Sequence, residues 1–482
     1  MESDGLRNQT VKGVKWNSVG TITTTLLHML KLFILARILS KSDFGLIAIA
    51  TMFLGFTEIF ANLGLATGLI HKQDITREQY SSVFWLNLLL SALLYAILFA
   101  LTPLIASYYH QPELMRVIPL LSLTLVINSF GKMFYTFKTK ELDFRFIAIV
   151  EVVGVSLGVV FTIVLALRGF GVFSLVYGSI LQAVLTHGVY AVSGLRSYRV
   201  MWHFRLGEIK ELLKIGGYQL STQVVDYAAT KLDVFLIGRF FSAEILGVYN
   251  LAKELLYKAV QLINPIVTSV AAPAFARFQD DKSRMRDAYS RVLTLLSFVN
   301  FPIFFAVFLF PDVVVTILYG QAMIEMAWFV RVLALWGILH SIANPIAILI
   351  VSLGRTDLGF LWMCFRMALM LVGTLVAAQI SIQAMTWVQV IVAVILFFAC
   401  WQMVVHRLIG LRFAEYLRAM ATPFAAACVA LLLALPLVLW ADMERPVVYL
   451  ADMVLFAAVY FLYYGLFHRD YLREVTGYVL KR

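Results

Sequence analysis

Charge is what this chain has least of. Asp, Glu, Lys and Arg supply 14% of its 482 residues, where a soluble globular domain carries about 25%. Apolar residues make up 61%, more than a water-soluble fold of this length can hide in its interior. Lipid is the solvent that absorbs the surplus. Cysteine is scarcer still, at three. Cys364, Cys400 and Cys428 all fall in apolar runs, which argues against a disulfide framework and for buried thiols. There is no Walker A loop, no nucleophile elbow and no histidine pair at metal-ligating spacing. No connecting segment exceeds about 20 residues, too little for a catalytic domain outside the apolar runs. The chain is therefore expected to be no enzyme, and to hold neither a cofactor nor a metal. Met1 to Thr10 is polar, without the apolar core and small-residue site of a cleavable signal peptide.

What the chain has in abundance is apolar runs of the length that crosses a bilayer, roughly 20 helical residues each. They fall at 16–38, 44–70, 82–107, 114–137, 146–167, 172–193, 215–238, 245–272, 291–310, 326–352, 359–379, 385–405, 419–440 and 447–467. A barrel would show alternating segments of about ten residues, and these runs are continuous. The expectation is an all-α, polytopic membrane protein with about 14 transmembrane helices.

A net charge of +11 would suit nucleic acid if it were gathered on one surface. It is not. With the amino terminus inside, the loops that fall inside hold most of the Lys and Arg, while the outer loops offer only Lys41, Arg168, Arg239 and Arg445. That is the positive-inside pattern with both termini cytoplasmic. It predicts contact with anionic lipid headgroups and no nucleic-acid partner. The longest basic inner segment, 194–214, carries Trp202, His203 and Phe204 among arginines and reads as a short amphipathic helix at the interface.

Sliding the chain on itself by 202 residues, without a gap, exposes an internal repeat. Leu30, Phe33, Arg37, Ser40, Gly45, Ala50 and Asn62 fall on Leu232, Phe235, Arg239, Ser242, Gly247, Ala252 and Asn264. Spans one and two therefore correspond to spans seven and eight. The even number of spans between them gives both copies one orientation, a parallel repeat. In that register Asn17, Thr21, Thr24, His28 and Lys31 follow one helix face. Their counterparts are Gln219, Gln223, Asp226, Thr230 and Asp233. A polar stripe in a membrane helix faces protein or water rather than lipid. Hydrogen bonding between helices explains amides and threonines; ionisable groups in both copies favour a hydrated cavity.

Each charge at helix centre costs roughly 2.5–3.5 kcal/mol on insertion scales, so each needs a reason. Lys31, Lys231, Lys253 and Arg366 supply positive groups, and His28 and His340 are titratable. Glu58, Asp226 and Asp233 are the acidic candidates for binding a coupling proton or sodium ion. Trp16, Tyr218, Tyr227, Tyr249 and Tyr257 are suited either to stacking on a sugar ring or to an aromatic belt at the membrane interface. Asn17, Thr24, His28, Lys31, Gln223, Asp226, Lys231, Lys253, Tyr257 and Arg366 make up the expected cavity lining. Lys132, near the inner end of its span, is expected to snorkel to water.

Several motifs resemble one family. Gly13-Val14-Lys15-Trp16-Asn17-Ser18 and Leu35-Ala36-Arg37-Ile38-Leu39-Ser40-Lys41-Ser42-Asp43-Phe44-Gly45 are two of them. Phe84-Trp85-Leu86-Asn87-Leu88, Lys231-Leu232-Asp233-Val234-Phe235-Leu236-Ile237-Gly238 and Leu246-Gly247-Val248-Tyr249-Asn250-Leu251-Ala252 complete the set. They resemble the polysaccharide exporters of the multidrug/oligosaccharidyl-lipid/polysaccharide superfamily, nearest the Wzx-type group of the colanic acid exporter. The resemblance implies two six-helix lobes in a V, as in multidrug exporters of that superfamily, followed by two accessory helices. The corresponding division is 1–193, a linker at 194–214, 215–406, and 407–482. It also implies alternating access to an undecaprenyl-pyrophosphate-linked oligosaccharide in a bacterial inner membrane, alongside a polysaccharide polymerase and glycosyltransferases. The alternative is a cation-coupled multidrug exporter of the same superfamily. Such a protein centres on acidic groups, whereas lysines are at least as frequent in this membrane core.

Overall fold

The computed structural model describes residues 2–62, 69, 75–343, 345–440 and 446–467, and among these no residue is in a strand. Each expected span overlaps helix, although 44–70 runs beyond the described residues and 326–352 is divided between two helices. Among the described residues, eleven helical segments are long and apolar enough to cross a bilayer. The chain packs as two compact units, Met1–Asn250 and Leu251–Arg482.

The first unit holds α1 (Glu2–Leu35), α2 (Lys41–Asn62), α3 (Arg77–Tyr109), α4 (Leu114–Lys140), α5 (Phe144–Leu167), α6 (Val172–Tyr198) and α7 (Lys210–Phe240). It also takes in the first two turns of α8 (Ala243–Arg277). Neither α7 nor α8 is among the eleven apolar segments. The reason is local: Asp226, Lys231 and Asp233 interrupt the one, and Lys253, Glu254 and Lys258 the other. Helices this polar need protein or water on their polar face.

The Ser40-to-Gly45 motif is a structural device. Ser40 Oγ donates to Asp43 Oδ2 at 2.7 Å and accepts from Asp43 N at 3.2 Å, closing the start of α2 as a helix cap does. Asp43 Oδ1 also accepts from Val172 N at 2.9 Å, which fastens that cap to the start of α6. Two residues on, Gly45 lets the start of α8 cross. A Cβ there would collide with the carbonyl oxygen of Ala243, and a Cβ at Gly247 would collide with that of Lys41. Gly45 and Gly247 are 202 apart, as are Lys41 and Ala243. The contact is thus made twice with the roles exchanged, as in a two-fold interface, and the repeat is visible in three dimensions.

At the other end of this unit an aromatic core gathers Phe84, Phe134, Phe137, Tyr190 and Ile209. The segment 194–214 closes over it, though not as the amphipathic helix expected. Tyr198 ends α6, and Arg199 takes a left-handed conformation, φ 47°. The next residues run as a strap along the start of α3. Met201 N donates to Ser81 Oγ at 3.0 Å and Arg205 N to Ser82 Oγ at 3.1 Å. Trp85 Nε1 donates to Met201 O at 2.8 Å, and Trp202 stacks on Trp85 at 4.3 Å. Side-chain hydroxyls and an indole satisfy the strap's backbone, so it has no need of helical hydrogen bonds. One 3₁₀ turn, Leu206–Ile209, leads directly into α7.

The second unit holds the rest of α8, then α9 (Lys282–Leu309), α10 (Pro311–Tyr319), α11 (Met326–Ser341) and α12 (Pro345–Ser352). They are followed by α13 (Thr356–Ala378), α14 (Ile382–Cys400), α15 (Phe413–Trp440) and α16 (Pro446–Phe467). Helix α9 is central, packed on α11 and α15. A buried amide ladder stitches the interior: Asn300 Nδ2 donates to Asn264 Oδ1 at 3.2 Å, and Asn264 Nδ2 to Ser341 O at 3.0 Å. Tyr460 of α16 donates to Phe298 O at 2.9 Å, so the last helix is fastened to α9. Cys400 is buried, Cys364 and Cys428 are half-buried, and all three are free thiols.

Candidate functional site

Several of the charges inside the helices gather in two places, one in each unit. In the first unit, Glu58 and Asn62 come from α2, Asn128 and Lys132 from α4, His187 from α6 and Tyr227 from α7. Lys132 Nζ donates to Asn62 Oδ1 and lies within electrostatic reach of both Glu58 and His187. Tyr227 donates to Met52 O at 2.8 Å and lies close enough to feel the charge of Glu58. Asn128 Oδ1, Thr186 Oγ1 and His187 Nδ1 are buried with no hydrogen-bond partner among the described residues.

This corrects the reading of Lys132. It sits eight residues inside the end of α4, about 12 Å at 1.5 Å per residue, and its ammonium turns to Asn62 instead of snorkelling. Its partners lie on α2, at a sequence separation where no spacing rule could reveal them. Glu58, by contrast, was legible as an acid in an apolar run.

The second constellation belongs to the second unit. Lys253 and Tyr257 lie one turn apart on α8, Trp336 and His340 one turn apart on α11, and Arg366 on α13. Lys253 is 7% exposed and its ammonium lies 5.9 Å from the centre of the Tyr257 ring. Tyr257 in turn stands 5.1 Å from Trp336 and 5.3 Å from His340. Trp336 and His340 stack at 4.4 Å with 16° between their planes. Lys253 and Arg366 both act electrostatically on His340. Three of the residues expected from sequence, Lys253, Tyr257 and Arg366, are brought together here. Trp336 was not expected. Its only signal was the four-residue step to His340, which puts both on one face of α11.

The polar stripes divide. On α1, Asn17 and Thr21 are exposed, and Thr24, His28 and Lys31 are half-buried. The Thr24 hydroxyl bonds back to Gly20 O at 3.0 Å. On α7, Gln223, Asp226 and Lys231 are half-buried, and the carbonyl of Asp226 accepts from Thr230 Oγ1 at 2.8 Å; of Gln219 only the backbone is described. Asp233 is 1% exposed. Its Oδ2 accepts from Tyr249 OH at 2.6 Å and its Oδ1 from Val234 N at 2.8 Å, a tie between α7 and α8.

Chemically the two constellations differ. Glu58 beside Lys132 is an acid–base pair in a low-dielectric setting, where protonation of either partner alters the interaction strongly. The second constellation combines two cations with three rings. Cations bind phosphate oxygens as charge-assisted partners, and flat rings offer apolar faces to sugars.

Residues 34–328 match the family described as "Polysaccharide biosynthesis protein". The teichuronic acid biosynthesis protein TuaB of Bacillus subtilis (strain 168) is 28% identical over 424 residues, 87% of each chain. The lipopolysaccharide biosynthesis protein WzxC of Escherichia coli (strain K12) is 26% identical over 78% of this chain and 76% of its own. Among solved structures, the lipid II flippase MurJ in an inward closed conformation superposes with a TM-score of 0.78. At 11% identity it covers 95% of this chain and 99% of its own, which shows a shared fold. The family match takes in more than half of the sequence, and the chain is a member of the polysaccharide biosynthesis protein family.

Proposed function

We propose that this protein is a flippase that carries an undecaprenyl-pyrophosphate-linked oligosaccharide from the inner to the outer leaflet by alternating access, for the synthesis of a surface polysaccharide. The observation that carries the reading is the constellation of Lys253, Tyr257, Trp336, His340 and Arg366. Two positive groups beside three rings suit a substrate that is anionic at one end and a sugar at the other. The names of the relatives, for teichuronic acid and lipopolysaccharide biosynthesis, support the same substrate class, and the fold shared with a lipid II flippase supports the movement.

The protein works in the bacterial inner membrane with both termini in the cytoplasm, a reading that the distribution of Lys and Arg supports. It performs no chemistry on its cargo. Glycosyltransferases supply that cargo and a polymerase consumes it. Translocation is coupled to a proton or sodium ion, for which Glu58 beside Lys132 is the supporting feature; Asp226 is the further acidic candidate. Of the acids that a cation-coupled drug exporter would turn to its cargo, Asp233 is held by Tyr249.

The test is complementation of a strain lacking its own exporter. The Lys253→Ala, Arg366→Ala double variant should lose surface glycan at normal membrane abundance, and Lys253→Arg should retain it. Full glycan export by the double variant would refute the role given to this constellation.

A further inference from the structure

The first unit holds a second basic site, away from the membrane core. About three turns into α1, a cleft of about 790 Å³ opens between that helix and the turn joining α4 to α5. Lys12, Lys15 and Trp16 line one side; Glu141, Asp143 and Arg145 line the other. Close packing holds the two sides in place. A Cβ on Gly13 would stand 2.7 Å from the Phe144 ring, so α1 lies directly on the start of α5. Leu142, in the turn, has φ 58°, a conformation uncommon for a residue with a side chain.

Both acids of the cleft are committed to the fold. Lys138 Nζ lies 3.0 Å from Glu141 Oε2 and 3.4 Å from Asp143 Oδ2. Tyr198 OH donates to Glu141 Oε1, and Asp143 Oδ1 accepts from Phe146 N at 3.3 Å, capping α5. The cations are not so committed. Among the described residues Lys12 and Lys15 form no ion pair, and Arg145 has its guanidinium 5.7 Å from the Trp16 ring centre. Trp16 remains 39% exposed, which leaves indole surface for another flat group. By the positive-inside pattern this end of α1 faces the cytoplasm.

We infer that this cleft is a loading site, which binds the pyrophosphate and first sugar of the lipid-linked oligosaccharide at the cytoplasmic leaflet before translocation. Lys12, Lys15 and Arg145 neutralise the pyrophosphate oxygens, and the exposed part of Trp16 packs on the sugar ring. The phosphate chemistry is shared with anionic phospholipids; the ring is what favours a glycosylated headgroup. The inference rests on the flippase reading for the identity of the ligand, while the site itself lies wholly within the first unit.

The experiment uses the full-length protein in phosphatidylcholine nanodiscs and a photoreactive polyprenyl pyrophosphate carrying one N-acetylhexosamine. Crosslinks should map to residues 12–16 or 141–145, and unlabelled probe should compete for them. The Lys12→Ala, Lys15→Ala, Arg145→Ala triple variant should weaken capture about a hundredfold, roughly fivefold for each cation removed near the headgroup region. Arginine at positions 12 and 15 should restore it, which separates charge from a folding defect. Trp16→Ala should weaken capture of the glycosylated probe more than that of the bare polyprenyl pyrophosphate. Absence of crosslinks in these segments overturns the inference, as does equal competition by phosphatidylglycerol, which would make the cleft an anionic-lipid site. Capture here that survives Lys253→Ala, together with normal export by the Lys253→Ala, Arg366→Ala variant, would instead count against the second-unit constellation and leave the loading site standing.

Discussion

The two units bury their charges in different company. In the first, Lys132 lies among Glu58, Asn62 and His187, with both an acid and an amide near it. In the second, Lys253 and Arg366 stand with Tyr257, Trp336 and His340, a setting rich in aromatic rings. A cation with an acid beside it is neutralised internally and is arranged to respond to a proton. A cation beside an aromatic ring is attracted by the ring face and stays charged. The difference suggests a division of labour between coupling and cargo.

The strongest way to break that comparison is to remove the cations of each constellation in turn. Lys253→Ala with Arg366→Ala is expected to abolish surface glycan at unchanged abundance. Lys31→Ala, on the polar stripe of α1, is expected to abolish export as well and to tolerate arginine. Both are read by glycan staining with an immunoblot in parallel. Lys132→Met should act differently, because it leaves the half-buried Glu58 and Asn62 without their partner. It should lower thermal stability by about 1–3 kcal/mol, and the Glu58→Gln, Lys132→Met double variant should recover part of that loss. If Lys132→Met melts like the wild type, the first constellation is not an internally satisfied pair.

A second comparison sets the two copies of the repeat against each other at the crossing of α2 and α8. Gly45→Ala and Gly247→Ala each push a methyl against a carbonyl of the other copy, and overpacking of that kind costs about 1–3 kcal/mol. Once one substitution has parted the helices the second should cost less, so the double variant should fall short of the sum. Additive losses in a thermal melt would mean that the two glycines are not one contact. The smallest effect on export is expected at the α7–α8 tie. Tyr249→Phe removes the hydroxyl from Asp233 and should cost about 1.5–3 kcal/mol, with glycan export continuing wherever the protein survives.

Much of this was readable before any coordinates. Apolar runs located the helices because hydrophobic length is a direct physical demand of the bilayer. The repeat was visible at Gly45 and Gly247 because the crossing tolerates no side chain, which leaves a residue-specific trace. Lys253, Tyr257 and Arg366 were singled out as costly or suited to sugars in a membrane helix. The company they keep was not legible, since helical periodicity says which face a residue occupies and nothing of what packs there. Trp336 was silent for that reason, and so was the bond from Lys132 to Asn62. The strap at 199–205 was misread because its basic, aromatic composition suits an interfacial helix. The deciding partners, Ser81, Ser82 and Trp85, lie more than a hundred residues away.

The central claim is that the protein moves a lipid-linked oligosaccharide, and translocation in a purified system tests it most directly. The protein would be reconstituted into vesicles containing an undecaprenyl-pyrophosphate-linked oligosaccharide with a fluorescent sugar, and the glycan exposed on each leaflet followed with a membrane-impermeant quencher. The account predicts protein-dependent movement between leaflets that is lost in the Lys253→Ala, Arg366→Ala variant. No movement above protein-free vesicles, alongside transport of a cationic dye by the same preparation, would contradict it.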